Sequence, residues 1–185
     1  MEIVTIEQNY LYAVKYKDEQ QDEYNRIFDY HSDFERVLGF FETNMHKIED
    51  YYVSELGLER HETEAYAQYV VDETIELEEY FEDLIDNSIS DASPNLRGHF
   101  KILEGFEGKD FPALKSYGLN RPSLLRVYAI EMLDGSLLIF YSGIKITKKI
   151  KDCPGLRDNV LQKAHLIVSF LKREGIIDAE DLERV

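Results

Sequence analysis

The chain has 185 residues, 44% of them apolar, so it can bury a core without disulfides or bound metals. Its formal net charge of −16 argues against a free-standing nucleic-acid binder, because affinity for phosphate comes mainly from Lys and Arg that displace counterions. Cys153 is the single cysteine, which excludes an intramolecular disulfide and favours a reducing compartment. The sequence has no signal-type or membrane-length apolar run, so we expect a cytoplasmic protein that does not enter a membrane.

Charge is distributed unevenly along the chain. Residues 1–93 carry 25 acidic and 6 basic side chains, a net charge of −19, whereas residues 94–185 carry 12 and 15, a net charge of +3. We therefore expect an acidic, mainly helical part over 1–93 and a hairpin-plus-helix part over 94–185, which could pack as one domain. The acidic part would suit a basic partner, and that partner could be the protein's own second half.

The N-terminal elements are indicated by hydrophobic periodicity. Two short runs rich in β-branched and aromatic residues, 2–6 and 10–16, predict a β-hairpin joined at Gln8-Asn9. From Tyr24 to Tyr52 the apolar positions recur at intervals of three, four and seven, which predicts amphipathic helix. Gly39 or the stretch 30–33 is the expected break in that helix.

A second amphipathic helix is predicted over 66–85, bounded by the polar stretch 61–64 and the breaker run 87–94. Its outward face is predicted to be acidic, and we assign to that face Asp72, Glu73, Glu76, Glu78, Glu79, Glu82 and Asp83. Such a run is most often a solvated helix face. The alternative is a docking surface for a cationic partner, with Glu76, Glu79 and Asp83 as its candidate partner-binding residues.

The C-terminal part predicts loops over 95–122, then two strands, 124–133 and 136–142, and a helix that begins near Leu156. Asp134-Gly135 between the strands suits a two-residue type I′ turn. Gly175 is the expected residue just beyond the helix end. The predicted fold class is α+β: an antiparallel sheet with an Asp-Gly hairpin packed on a C-terminal helix, plus an N-terminal hairpin and two amphipathic acidic helices.

A two-residue turn fixes the hairpin register, pairing Tyr128 with Tyr141 and Arg126 with Gly143. Strand alternation then predicts two faces. The face expected under the C-terminal helix carries Leu125, Val127, Ala129, Leu138, Phe140, Ile144 and Ile146. The other face carries Arg126, Tyr128, Tyr141, Lys145, Thr147 and Lys149. Cations among aromatic rings can bind a nucleic-acid backbone or support metal-free RNA cleavage, although an ordinary solvated strand shows the same pattern.

The stretch LLRVYAIEMLDGSLLIFYSGIKITKKIKDCPGL, residues 124–156, followed by one helix, resembles the C-terminal half of the RelE/HigB-like toxins of bacterial type II toxin–antitoxin systems. The resemblance implies a curved antiparallel sheet backed by helices. It also implies metal-independent cleavage of mRNA, usually on the ribosome, with no cofactor and with an antitoxin protein as partner. The residues implied at the scissile phosphate are Arg126, Lys145 and Lys149, with Lys148 and Thr147 beside them. Tyr128 or Tyr141 would stack on a base.

The chain also departs from that family, whose members are usually shorter and basic. The added acidic helices could shield the basic face as a built-in counterpart of an antitoxin, or the nuclease function could be lost. A hypothesis of a different class is a non-catalytic interaction module whose acidic helices bind a basic protein or mimic nucleic acid. The histidines show no metal-site spacing, so no metal site is expected.

Overall fold

A computed structural model describes residues 1–108, 110–119, 122–182 and 184. The fold is α+β, as expected, with an N-terminal β-hairpin and a C-terminal helix. Its strands form a six-stranded mixed sheet in the order β1-β2-β6-β5-β4-β3. The strands are β1 (Glu2–Glu7), β2 (Leu11–Lys15), β3 (Lys101–Ile102), β4 (Ala113–Tyr117), β5 (Leu125–Glu131) and β6 (Leu137–Ile144).

The first part of the chain supplies the hairpin and four helices. The helices are α1 (Glu23–His31), α2 (Phe34–Asn44), α3 (Asp50–Leu56) and α4 (Thr63–Ile89). The predicted break falls at 32–33, where Asp33 accepts a hydrogen bond from the backbone N–H of Arg36 and so caps α2. Gly39 lies inside α2 and does not break it.

The second part contains helix and strand at positions where its glycines and prolines predict loops. The stretch 95–122 was predicted as loops, yet it holds α5 (Leu96–His99) and strands β3 and β4; residues 109, 120 and 121 lie outside the described residues. Helices α6 (Val160–Glu174) and α7 (Ala179–Leu182) follow β6, and Gly175 ends α6 in the left-handed conformation with φ of 72°. No helix in the described part of the chain is long and apolar enough to cross a membrane.

The sheet joins the two parts of the chain. Strand β2 from the acidic part pairs in parallel with β6 from the basic part, while the other neighbouring strands pair antiparallel. A parallel pair needs a long crossover connection, and here that connection includes α1 to α4. The acidic helices are therefore part of the sheet's own topology.

The hairpin between β5 and β6 differs from the predicted two-residue turn. The N–H of Gly135 donates to the carbonyl of Met132, and the N–H of Met132 donates to the carbonyl of Ser136, which makes the loop three residues long. Gly135 has a φ of 86°, whereas a type I′ turn needs positive φ at two central residues. A second irregularity between Tyr128 and Ala129 restores the register, so Tyr128 lies opposite Tyr141 and Arg126 opposite Gly143 as predicted.

The predicted assignment of the sheet faces was correct for Leu138, Phe140, Ile144 and Ile146, which pack in the same cluster as α6. It was wrong for the β5 residues Leu125, Val127 and Ala129, because the irregularity after Tyr128 offsets the two strands by one residue. The C-terminal helix α6 packs in one core cluster with Tyr128, Ile130, Leu138 and Phe140. The β5 residues expected beneath α6, Leu125, Val127 and Ala129, instead pack against α1 and α4 in a second cluster. Helix α4 contributes to both clusters, so it connects the two sides of the sheet.

Candidate functional site

A cavity of about 310 Å³ opens beside β4, β5 and the segment that follows β6. We call it the basic pocket, because six cationic side chains and one carboxylate line it. Its lining residues are Leu103, Glu104, Lys115, Tyr117, Arg126, Tyr128, Lys145, Lys148, Lys149, Ile150 and Lys151. The predicted site residues Arg126, Lys145, Lys148, Lys149 and Tyr128 are therefore brought together.

Strand pairing explains how β4 contributes to the basic pocket. Residues directly opposite each other in an antiparallel pair share a face of the sheet. Lys115 lies opposite Tyr128, and Tyr117 lies opposite Arg126. Neither β4 residue was among the predicted site residues, although the alternation in ALKSY, with Lys115 and Tyr117 two residues apart, is typical of a strand.

Arg126 is held in the wall of the pocket with only 6% of its surface exposed. Its Nη1 donates to the carbonyl of Ser123 at 2.8 Å, to the Ser123 hydroxyl at 3.1 Å and to the carbonyl of Leu125 at 2.7 Å. Its guanidinium carbon lies 4.2 Å from the centre of the Tyr117 ring. These partners are neutral, so the guanidinium is fixed in place while its charge is not cancelled by direct contact.

Lys145 lies at the end of β6, where its backbone N–H donates to the carbonyl of Leu124 at 2.7 Å. Partial burial lowers the pKa of the Lys145 ammonium, and the charges of Arg126 and Lys115 lower it further. Lys148 and Lys149 are exposed at the rim. The Lys145 ammonium therefore lies in a partly buried, electropositive part of the pocket.

A buried carboxylate from the acidic part supports the entry to β5. Glu73 was predicted on the outward acidic face of α4, but it is only 2% exposed, so that assignment was wrong. Its Oε2 accepts hydrogen bonds from the backbone N–H groups of Leu124 and Leu125, each at 3.1 Å. Burial raises the pKa of Glu73, against the effect of these hydrogen bonds and of Arg126. Glu73 thus fixes the backbone immediately before Arg126.

The predicted base-stacking residues, Tyr128 and Tyr141, do not present open rings in the basic pocket. Tyr128 has 0% exposure, so its ring offers no open face to a base. Tyr141 does not line the basic pocket; its hydroxyl donates to the carbonyl of Gly155 at 2.7 Å, and Lys163 lies 4.4 Å from its ring centre. The aromatic side chain that is both partly exposed and in the pocket wall is Tyr117.

Thr147 contacts the loop that follows β6 and does not line the basic pocket. It is buried and its hydroxyl donates to the carbonyl of Lys149 at 2.8 Å, which stabilises the turn that presents Lys148 and Lys149. Because Thr147 lies outside the pocket lining and its hydroxyl proton is donated to the backbone, its contact with a substrate stays a prediction.

The acidic helices border the basic pocket but do not cover it. Every lining residue lies between Leu103 and Lys151, within the C-terminal part. Glu49 of the acidic part reaches the rim of the pocket, where its Oε1 accepts a hydrogen bond from the backbone N–H of Lys148 at 2.8 Å. The candidate partner-binding residues Glu76, Glu79 and Asp83 are exposed on α4.

Among the described residues, no group of three or more His, Cys, Asp or Glu side chains is arranged to hold a metal ion. Comparisons with protein-family models, with curated proteins and with solved structures found no match to this chain. Function is therefore inferred from the geometry and charge of the basic pocket.

Proposed function

We propose that this protein binds RNA through the basic pocket and that it is a RelE/HigB-like protein, either an RNA-cleaving toxin or an inactive relative of one. The observation that carries the proposal is the pocket's charge: six cationic side chains against the single carboxylate of Glu104. A cavity with that balance attracts an anion, and a phosphodiester bears one negative charge for each nucleotide. The resemblance of residues 124–156 to the toxin family supplies the choice of RNA.

The reaction proposed for this pocket needs no metal. The 2′-hydroxyl of a nucleotide gives its proton to solvent water, and its oxygen forms a bond to the adjacent phosphorus. The bond from phosphorus to the 5′-oxygen breaks, and that oxygen takes a proton from the Lys145 ammonium, which solvent then reprotonates. The products are a 2′,3′-cyclic phosphate and a free 5′-hydroxyl. Negative charge grows on the phosphoryl oxygens in the transition state, so fixed cations beside them lower the barrier.

We assign the stabilisation of that negative charge to Arg126 and Lys145. The two N–H groups of Arg126 Nη1 are shared among three oxygen acceptors of Ser123 and Leu125, so the guanidinium is preorganised and does not need to reorganise when charge develops. Lys145 has a lowered pKa, which makes its ammonium a better proton donor to the leaving 5′-oxygen. Lys149, with Lys148 and Lys151, extends the cationic surface to the rim.

The net charge of −16 does not oppose this proposal. Exposed charges are screened over about 8 Å at physiological ionic strength, so the field in the pocket is set by its lining and by adjoining charges, which include the carboxylates of Glu49 and Glu73. The acidic residues of α4 lie outside that lining. They reduce the long-range attraction of RNA and so leave recognition to the pocket itself.

The direct test incubates the purified full chain with end-labelled single-stranded RNA in the presence of EDTA. We expect fragments that end in 2′,3′-cyclic phosphate, growth arrest on expression in bacteria, and loss of both in Lys145→Ala. The matched control is Lys172→Ala, an exposed lysine that pairs with Asp110 at 3.2 Å outside the pocket. Binding without cleavage would identify an inactive relative, and absence of both would contradict the proposal.

A second candidate function is an interaction module that docks a basic protein, such as an antitoxin or another cationic partner, on α4. The observation in its favour is that Glu76, Glu79 and Asp83 are all exposed at helical spacing, while Glu73 of the same helix is buried. Charge reversal of those three residues to Lys would abolish salt-sensitive capture of such a partner. Retained capture would reject this candidate.

A further inference from the structure

A second cavity of about 170 Å³ adjoins the basic pocket on the side of the acidic part. We call it the tyrosine pocket. Its lining residues are Tyr51, Tyr52, Glu55, Tyr117, Pro122, Ser123 and Arg126. Tyr117 and Arg126 also line the basic pocket, so the two cavities share a wall.

The shared wall is the stacked pair of Arg126 and Tyr117, with 4.2 Å between the guanidinium carbon and the ring centre. Both members are fixed: Tyr117 belongs to β4, and Arg126 belongs to β5 and is clamped to Ser123. A ligand with two chemically different ends could therefore place one end in each cavity without moving the wall.

The tyrosine pocket differs from the basic pocket in charge and shape. Tyr51 of α3 is 58% exposed, and its ring packs edge-on against Tyr52, with centres 5.2 Å apart. Glu55 places a carboxylate at the rim, which disfavours a second phosphate. The volume is below the roughly 300 Å³ at which pockets for drug-sized ligands begin, so it suits a single ring system.

We propose that the tyrosine pocket holds an unstacked nucleobase of an RNA strand whose phosphate occupies the basic pocket. Aromatic rings bind bases of single strands by stacking, and every base has a face that can stack. Tyr51 is the stacking residue, and the Arg126–Tyr117 pair separates the base from the phosphate. This inference rests on the proposed function, because it takes the phosphate in the basic pocket as given.

The assignment gives the acidic part a role in substrate recognition. Helix α3, which supplies Tyr51, Tyr52 and Glu55, lies outside the segment that resembles the toxin family. The base subsite would then be an addition of this chain's own acidic part to a cationic site on the sheet. It also replaces Tyr128 and Tyr141 as the base-stacking residues, since neither presents an open ring at the basic pocket.

The test compares two trinucleotides of equal charge by NMR titration of the full chain. Both contain deoxyribose, so neither can be cleaved, and one lacks the central base. We expect the complete trinucleotide to bind on the order of tenfold more tightly, which is the effect of one base stacked on an aromatic ring. Tyr51→Ala should remove that difference, whereas Tyr51→Phe, which keeps the ring, should retain it.

Tyr30→Ala serves as a control, because Tyr30 is a partly exposed tyrosine outside the tyrosine pocket. Equal binding of the two trinucleotides to the wild type, or an unchanged difference in Tyr51→Ala, would overturn the base subsite while leaving the phosphate site intact. If neither trinucleotide binds, the proposed function itself is contradicted. The two failures are therefore distinguishable.

Discussion

Gly118 and Glu73 form a close contact that fixes the backbone before Arg126. A Cβ added at Gly118 would overlap the Glu73 carboxylate. The carboxylate cannot move away freely, because its Oε2 accepts two backbone hydrogen bonds at the start of β5. Steric space, and not backbone conformation, therefore explains the glycine at this position.

We predict that Gly118→Ala lowers the free energy of unfolding by about 1–3 kcal/mol, the usual cost of overpacking a well-packed interior. Gly39→Ala is the matched control, since a Cβ at that position in α2 meets nothing within 4 Å. That control should stabilise the protein by up to about 1 kcal/mol, because Gly disfavours a helix interior. Urea denaturation of the two variants checks both signs, and equal behaviour would contradict the packing argument.

His31 is a buried histidine that stays neutral in the folded protein. Its Nε2 lies 3.2 Å from the Ser142 hydroxyl, and burial, with the nearby charge of Arg26, lowers its pKa to about 3. The unfolded chain takes up a proton at the ordinary histidine pKa of about 6.5, whereas the folded protein does not. Stability contributed by His31 is therefore present above that pKa and is lost as the pH falls towards the folded value.

We predict that wild-type protein loses about 2 kcal/mol of stability relative to His31→Gln between pH 7 and pH 5. Glutamine keeps a hydrogen-bonding side chain but is not protonated in this pH range, so the stability of His31→Gln is independent of this titration. Urea denaturation at the two pH values measures the difference. A difference between the proteins that stays constant, or that changes in favour of the wild type at pH 5, would show that His31 is protonated while folded.

At the scale of elements, long periodic segments were predictable and the hairpin details were not. The spacing of apolar residues located α4 and α6, and the Asp-Gly pair located the β5–β6 hairpin, because local preferences and burial agree there. An alternating sequence does not predict the three-residue loop or the irregularity after Tyr128. Together they placed Leu138 and Phe140 on the same face as Tyr128 and Ile130 instead of with Leu125, Val127 and Ala129. They nevertheless preserved the pairing of Arg126 with Gly143.

The candidate site was predictable to the extent that it lies on one hairpin. Lys145, Lys148 and Lys149 follow β6 directly, so their proximity to Arg126 could be inferred from strand register. Lys115, Tyr117 and Tyr51 could not be placed, because they reach the site through pairing and packing between distant segments. Such contacts are set by tertiary structure and are not encoded in local periodicity.

The hairpin loop gives a prediction at this scale. Gly135 has a φ of 86°, a conformation that costs about 1–2 kcal/mol for a residue with a side chain. Gly135→Ala should lower the free energy of unfolding by about that amount, and Gly135→Asn by less, because Asn tolerates the left-handed region. A Cβ at Gly135 meets nothing within 4 Å, so the two variants isolate the backbone effect. Equal thermal stability of Gly135→Ala and the wild type would contradict this backbone effect.

At the scale of the whole molecule, the two electrostatic parts share one sheet. Strand β2 pairs with β6, and α4 packs against the face formed by Leu125, Val127 and Ala129. Removal of residues 1–93 would expose that apolar face and an edge of β6. An exposed edge strand beside apolar surface promotes aggregation.

We predict that residues 94–185 expressed alone are insoluble or unfold without cooperativity, and that co-expression with residues 1–93 restores a soluble complex. Circular dichroism and gel filtration of the fragment check this expectation. A fragment that folds cooperatively by itself would show that the acidic part is a separate addition. RNA cleavage should accordingly be assayed with the full chain.

The central claim is that the basic pocket, and not general surface charge, binds RNA. Fluorescence anisotropy of a labelled single-stranded RNA measures it most directly, with Lys148→Glu/Lys149→Glu compared with Lys17→Glu/Arg173→Glu. The two double variants have the same net charge, and only the first alters the pocket lining. We expect at least about tenfold weaker binding for the pocket variant, since each lost phosphate contact removes a released counterion, and near wild-type affinity for the control. Equal affinities of the two variants would contradict the claim.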